Sequence, residues 1–393
     1  MKVLLVQKMA GISGSERYFL TLLPALRAKG VDARFLVVQH PANAGRNAPF
    51  IDELKGKGIP VYVFDSRLPI SLGLVRRLAR LVREQGIDLL QTNLIHADVW
   101  GACAKLLFDR RMRIVSVKHG YTDVYQARHG LDPAHLSTDR MSLLTRWSAR
   151  RIDRVVCISQ ALETFFVRGG LIDAAKTTSI PYGSDFSTID TEVAEGGLRF
   201  GMPQIVVAGR LVQVKQHHLL LGILPHLVQD FPQLSVVMVG AGPLLETLVQ
   251  RTRELGLSGH VRWEGFRANM HDYIRDSDVM VLPSSAEGFG LVVLEAWYHG
   301  KPVVAFDVPA LNEIIESGVD GILVRPFDTE SLLAELRSLL ASADAMRDLG
   351  EAGRAKQRRL YDVEAMTERT IGVYRDVIAA TSSAREPAGQ RHG

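Results

Sequence analysis

Short apolar runs and amphipathic helical stretches alternate along the whole chain, and that alternation is the strongest constraint on its fold. In the first half, runs at residues 2–7, 33–38, 61–64, 89–92, 114–118, 155–158 and 178–180 are rich in Val, Ile and Leu. Stretches of helical period lie between them, such as 16–29 and 74–85. The second half repeats the rhythm, with runs at 204–208, 235–239, 261–264, 279–282, 303–306 and 321–324 and helical stretches at 244–255, 291–299 and 331–340. A near-continuous apolar run is what a strand buried on both faces needs. Strand, helix, strand at this spacing means a parallel sheet with crossover helices. The pattern predicts an α/β protein of two doubly wound, Rossmann-like domains facing each other across a cleft.

The predicted boundaries are 1–184 for the first domain, 185–202 for a linker and 203–353 for the second domain. The linker is polar and weakly patterned. A helical segment at 354–380 is expected to pack back toward the first domain, and 381–393 reads as a disordered Ser/Gly/Pro/Arg tail. At 393 residues, 47 % hydrophobic and 23 % charged, the composition is that of a soluble globular chain. The only two cysteines, Cys103 and Cys157, sit in apolar stretches, so neither a disulfide framework nor a Cys/His metal cluster is expected. The start is charged too soon for a signal peptide, and no apolar run approaches the roughly 18 residues that span a bilayer. The expected location is the cytoplasm, free or peripheral to a membrane.

The net charge of +4 hides an asymmetry. Residues 1–190 carry 27 Lys/Arg against 17 Asp/Glu, and residues 191–393 carry 20 against 26. A basic half suits anionic lipid, a phosphorylated acceptor or nucleic acid. Residues 72–82 put Leu74, Val75, Leu78, Leu81 and Val82 on one helical face and Arg76, Arg77, Arg80 and Arg83 largely on the other. That pattern fits a membrane-surface helix, and equally a crossover helix packed on a sheet.

The residues that carry chemistry gather after the strand runs, where ligands bind in open parallel sheets. Glu287-Gly288-Phe289-Gly290-Leu291 leads from one run into a helix, so free backbone N–H groups and a positive helix end await an anionic or hydroxyl-rich ligand. Glu287 lies at the mouth of this turn, and Glu295 is expected about two helical turns further along the same face. Two carboxylates beside a phosphate-friendly turn suit a nucleotide-sugar. Gly209-Arg210-Leu211 ends another run, and Arg210 with Lys215 offers a planar fork and a mobile charge, suited to a diphosphate. Val239-Gly240-Ala241-Gly242-Pro243 is a third such turn, but nothing beyond Gly242 completes a dinucleotide fingerprint, and NAD is discounted. Asp276-Ser277-Asp278 sits at the start of a strand, the wrong edge for a metal site. His217 and His218 open a helix, where they cap it or face solvent.

These motifs, continued by Pro302-Val303-Val304, Asn312-Glu313-Ile314-Ile315 and Gly321-Ile322-Leu323-Val324, resemble the retaining glycosyltransferases of family 4, with the GT-B fold. The likeness covers nearly the whole second domain. It implies that Arg210 and Lys215 hold the donor diphosphate, and that Glu295 takes the ribose hydroxyls. Glu287 and the backbone at Phe289 and Gly290 would then meet the donor sugar, with Gly209, Gly242, Gly288 and Leu291 completing the donor site. Gln216 departs from the Gly common in the family after the Lys, with little expected consequence. In the first domain, Ser13-Gly14-Ser15-Glu16-Arg17 is similar to the family's Gly-rich loop, with Ser13 in place of a Gly. His119-Gly120 matches a position from which a His approaches the donor sugar. Tyr182-Gly183-Ser184-Asp185 resembles the hinge between the domains, with Tyr for Asn. His96 and Asp98 are candidates for the acceptor side.

The resemblance implies transfer of a sugar, a hexose or a relative of one, from a nucleoside diphosphate to an acceptor hydroxyl with retention. Arg210, Lys215, Glu287 and His119 would carry the catalysis, without a metal or other cofactor. UDP is favoured over GDP by its commonness in the family. The expected acceptor is a glycan or lipid-linked glycan of polysaccharide, lipopolysaccharide or glycolipid synthesis, reached at the cytoplasmic face of an inner membrane whose anionic surface is a further expected partner. Nucleic acid is not. A nucleotide-sugar epimerase of the same architecture, or a non-catalytic nucleotide-sugar binder, are the alternatives.

Overall fold

The computed structural model describes residues 1–11, 14–186, 197–267 and 269–383. They divide into two compact units: residues 1–120, 132–183 and the chain from Val363 onward form the first, and residues 121–131 with 184–362 form the second. The first holds β1 (Lys2–Met9), β2 (Asp32–Gln39), β3 (Val61–Asp65), β4 (Leu89–Asn93), β5 (Ile114–Lys118), β6 (Arg154–Cys157) and β7 (Thr177–Ser179). These form one sheet, every pair parallel, in the order β3-β2-β1-β4-β5-β6-β7. The second holds β8 (Gln204–Ala208), β9 (Ser235–Val239), β10 (Val261–Gly265), β11 (Val279–Leu282), β12 (Val303–Phe306) and β13 (Ile322–Val324). Its order, again all parallel, is β10-β9-β8-β11-β12-β13. Both units are therefore doubly wound and Rossmann-like, with the strand order reversing between β1 and β4 and between β8 and β11. Crossover helices leave opposite faces at such a point and open a crevice at the carboxyl ends of the strands. The apolar runs have their cause here: β4, β5, β8, β9, β11 and β12 are buried along their whole length.

The units depart from the sequence boundaries in three places. Gly353 is the expected end of the second domain, but the helix Ala343–Leu360 runs straight through it and stays with the second unit. A Cβ at Gly353 would lie 2.2 Å from the Trp297 indole, so this glycine lets a helix lie flat on a buried ring and ends nothing. The chain returns to the first unit only at Val363, in the helix Val363–Ser383. Tyr374 of that helix is fully buried and donates to Gln91 Oε1, while Lys29 holds Glu364 and Glu368. This helix extends past the predicted end at 380; residues 384–393 lie outside the described residues, as do 187–196 of the predicted linker. Third, residues 121–131 belong to the second unit although the strands on either side of them belong to the first.

The helix Leu72–Glu84 is a crossover helix. Ser71 Oγ caps it by accepting from the Leu74 N–H at 3.2 Å, and Leu74, Val75, Leu78 and Val82 are buried in the first unit. The apolar face that the sequence offered to a membrane is thus already occupied, and only the arginine face is outward.

Asp98 does not line an acceptor site. It is fully buried, accepting from Thr92 Oγ1 at 2.5 Å and pairing with Lys118, which is itself 4 % exposed. Removing one partner strands the other charge in the interior. Asp98→Ala is expected to lower the unfolding free energy of the first unit by about 3–5 kcal/mol, measured by urea titration. A loss of only about 0.5 kcal/mol, as at a surface site, would show that the pair is dispensable.

Candidate active site

The second unit builds its site from the loops that follow β8, β9 and β11. After β8 the chain passes Gly209 and the exposed Arg210 and enters a single 3₁₀ turn, Gln213–Lys215. The loop after β9 lies directly on it: Leu211 N donates to Ala241 O at 3.0 Å and Gly209 N to Val239 O at 2.9 Å. A Cβ on Gly240 would fall 1.8 Å from the Gly209 carbonyl oxygen, and one on Gly242 would fall 2.3 Å from that of Leu211. These glycines are therefore demanded by backbone packed on backbone, whatever their backbone groups then offer a ligand.

Across the switch point, the loop after β11 is fastened to the same turn. Ser285 N donates to Val214 O at 2.9 Å, and Gln216 Nε2 donates to Ser285 Oγ at 3.3 Å. Gln216 has the left-handed backbone, φ 51°, that explains the family's Gly. Its side chain recovers part of that strain by tying the two loops, a consequence the sequence did not suggest. The result is an ion pair from Lys215 Nζ to Glu287 Oε1 at 2.5 Å, with side chains 17 % and 10 % exposed. The helix Leu291–Tyr298 starts beyond it at Gly290, φ 101°, where a Cβ would strike Leu311 Cδ2 at 2.6 Å. Glu295 is buried one turn inside that helix. The expected two helical turns between the carboxylates shrink, because Glu287 and Gly288 belong to the loop. The Phe289 ring is buried, 5.9 Å from Tyr361, so Phe289 can meet a ligand only through its backbone.

One other expectation changes in this unit. His217 does not face solvent: it is 3 % exposed, and burial, helped by the charges of Lys215 and His218, pushes its imidazole down to about 4. Asp278 is spent on a two-bond pair with Arg199 at 2.8 and 2.9 Å and on the Gln204 N–H. Among the described residues no group of three or more His, Cys, Asp or Glu is placed to hold a metal ion.

In the first unit the corresponding edge carries Gly11, the helix Gly14–Ala28 and His119. Ser13 lies outside the described residues. Glu16, 4 % exposed in the first turn of the helix, accepts from Gln7 Nε2. The half-buried His119 ring packs against Tyr18, Phe19 and Tyr182. Asn93 Nδ2 donates to Val6 O at 3.2 Å, which fixes the amide and points its Oδ1 at His119 Nε2, 3.3 Å away. That oxygen only accepts, so Nε2 carries the hydrogen and Nδ1 accepts from the Tyr182 hydroxyl. Burial, with the Lys118 charge adding to it, pushes the ring down to about 3. The ring is therefore neutral near pH 7 and fixed in one orientation. The sequence missed Asn93, although it ends a strand at the ligand edge, and it saw Tyr182 only as a departure from Asn.

Histidines held neutral by the fold tie stability to pH. An unfolded His titrates near pH 6.5, so between about pH 6.5 and pH 3–4 the unfolded chain binds protons that folded His119 and His217 refuse. Stability is fully present above that window and falls as pH falls through it, by up to about 1.4 kcal/mol per unit for each ring. His119→Gln is expected to give a shallower loss between about pH 6 and pH 4 in denaturant titrations. An unchanged slope would show that the ring titrates freely.

Comparison with known proteins agrees with this geometry. The family model Glycosyltransferase Family 4 matches residues 12–188, and Glycosyl transferases group 1 matches residues 189–356. The alpha-D-kanosaminyltransferase of Streptomyces kanamyceticus is 25 % identical over 91 % of this chain and 98 % of its own length. The lipopolysaccharide core biosynthesis glycosyltransferase LpsD of Rhizobium meliloti is also 25 % identical, over 92 % and 94 %. Among solved structures, Anabaena Alr3699/HepE in complex with UDP and glucose superimposes with a TM-score of 0.79 at 26 % identity, covering 96 % of this chain and 100 % of that one. The chain belongs to the group 1, family 4 glycosyltransferases of GT-B fold and is a nucleotide-sugar-dependent glycosyltransferase.

Proposed function

We propose that the chain moves a sugar from a UDP-sugar to a hydroxyl of a glycan or lipid-linked glycan, with retention at the anomeric carbon. The Lys215–Glu287 pair carries the reading, because it sets a cation and a carboxylate side by side at the switch point, next to a helix N-terminus. A diphosphate needs the first and the helix end, and a sugar hydroxyl needs the second. Arg210 and Lys215 neutralise the charge that grows on the departing diphosphate. Glu287 orients the donor sugar and Glu295 the ribose. The leaving phosphate itself takes the acceptor's proton, so the step needs no metal ion. HepE, solved with UDP and with UDP-glucose, supports UDP as the carrier, and LpsD supports an acceptor in the cell envelope. The basic first half suits work at the anionic cytoplasmic face of a membrane.

The first measurement is thermal unfolding with UDP, GDP and UDP-glucose. A ligand at about 100 times its dissociation constant adds about 2.7 kcal/mol, or roughly 5–10 °C for a unit of this size. UDP and UDP-glucose are expected to give that shift, and Glu295→Ala to abolish it. A response to GDP alone would reverse the choice of carrier, and no response would remove the donor site from the second unit. Lys215→Ala is expected to lower the transfer rate about 100- to 1,000-fold, and full activity in that variant would sink the mechanism. Transfer is expected to continue undiminished in excess chelator; its abolition would bring in a metal.

A further inference from the structure

The turn between β3 and the helix Leu72–Glu84 presents an apolar tip that its own unit leaves uncovered. Leu68 is 63 % exposed, Ile70 41 % and Leu72 65 %. A single exposed leucine is ordinary, since much of any protein surface is apolar. Three large aliphatic side chains in close succession on one turn mark an interaction site. The turn is also held in place. Trp100, its ring buried in the core, donates from Nε1 to Pro69 O at 2.8 Å, and Ser66 Oγ donates to Leu68 O at 2.7 Å. Hydrogen bonds to two successive carbonyls, those of Leu68 and Pro69, thus fix the backbone of the turn.

The charges around the tip have one sign. Arg67 is exposed within the turn, and Arg76, Arg77, Arg80 and Arg83 are exposed along the helix that follows. Among the described residues none of these five forms an ion pair with a carboxylate. The exposed acids in this stretch, Asp65 and Glu84, stand before the turn and at the far end of the helix. Arg77 lies over the Phe64 ring, 4.2 Å from its centroid. An apolar tip continued by a helix face of arginines that no carboxylate pairs fits a partner that is apolar inside and anionic at its rim.

We propose that residues 66–72 and the arginine face of the helix Leu72–Glu84 form a docking surface for an anionic lipid bilayer. Leu68, Ile70 and Leu72 enter the interfacial region, and the arginines meet the lipid phosphates. The helix does not lie down in the membrane by its apolar face, because Leu74, Val75, Leu78 and Val82 are buried in the unit's own core. Three side chains make a shallow anchor, so docking is reversible and needs both the apolar tip and the charge. The turn leaves the carboxyl end of β3, the sheet edge that also bears His119. This assignment rests on the membrane-facing part of the proposed function. It is tested without donor or acceptor, so the docking surface and the transfer reaction fail separately.

The test is sedimentation of the full chain with vesicles of phosphatidylcholine alone, and of phosphatidylcholine mixed with phosphatidylglycerol. Binding is expected only to the anionic vesicles and is expected to weaken as salt rises. The triple variant Leu68→Ser/Ile70→Ser/Leu72→Ser should bind at least about ten-fold more weakly, with its UDP-induced thermal shift unchanged. Arg76→Gln/Arg80→Gln should lose about five-fold for each arginine. In Leu68→Trp, tryptophan emission should move to shorter wavelength on adding anionic vesicles and stay put with neutral ones. No sedimentation with anionic vesicles, or equal binding by wild type and the triple variant, would overturn the proposal. So would self-association in solution that the triple variant abolishes while wild type ignores vesicles, since the tip would then face a second copy of the chain.

Discussion

The ion pair between Lys215 and Glu287 joins two loops that the strand order would otherwise send apart. β8 and β11 are neighbours in the sheet, yet the helices that follow them cover opposite faces. Only the chain between strand and helix can reach across. Here Ser285 and Gln216 hold that reach in place, and the charged pair sits on top of it. The tight stack of the β8 and β9 loops beneath leaves no room for side chains at Gly240 or Gly242. The chemistry of the second unit thus depends on backbone contacts before it depends on charge.

Charge is handled differently in the first unit. Its interior carries a buried salt bridge, Lys118–Asp98, and close by a histidine kept neutral. Desolvation accounts for most of the low basicity of His119, and the Lys118 charge adds to it by working against a second positive group beside it. Asn93 and Tyr182 then decide which ring nitrogen bears the hydrogen. A group so fixed orients a ligand better than it exchanges protons. The second unit, by contrast, pairs its cation and carboxylate where neither is fully enclosed, their side chains 17 % and 10 % exposed.

Much of this was legible in the sequence, for physical reasons that differ from one element to the next. Strands such as 204–208 and 279–282 stood out because burial on both faces leaves no polar alternation to blur them. The turn at Glu287–Leu291 was readable because glycines beside a carboxylate at a strand end combine bare backbone donors with a charge, as a ligand requires. Gly353 misled because a glycine in a helix looks like a stop until Trp297 is seen against it. Asp98 and His217 misled because burial of a polar side chain depends on partners distant in the chain. The transfer of residues 121–131 to the second unit left no local signal, since a short helix reads the same wherever it packs.

The path of the chain also bears on how the protein is made. The first unit contains the start of the chain and the helix Val363–Ser383, whose Tyr374 fills its interior and bonds Gln91. A ribosome adding roughly 5–20 residues each second needs roughly ten to forty seconds to travel from Gly183 to that helix. Throughout that interval the first unit lacks part of its own core, while residues 184–362 of the second unit are added one after another to the segment 121–131 already made. The second unit is therefore the one equipped to finish first, and the first unit waits for the helix Val363–Ser383 to be synthesised.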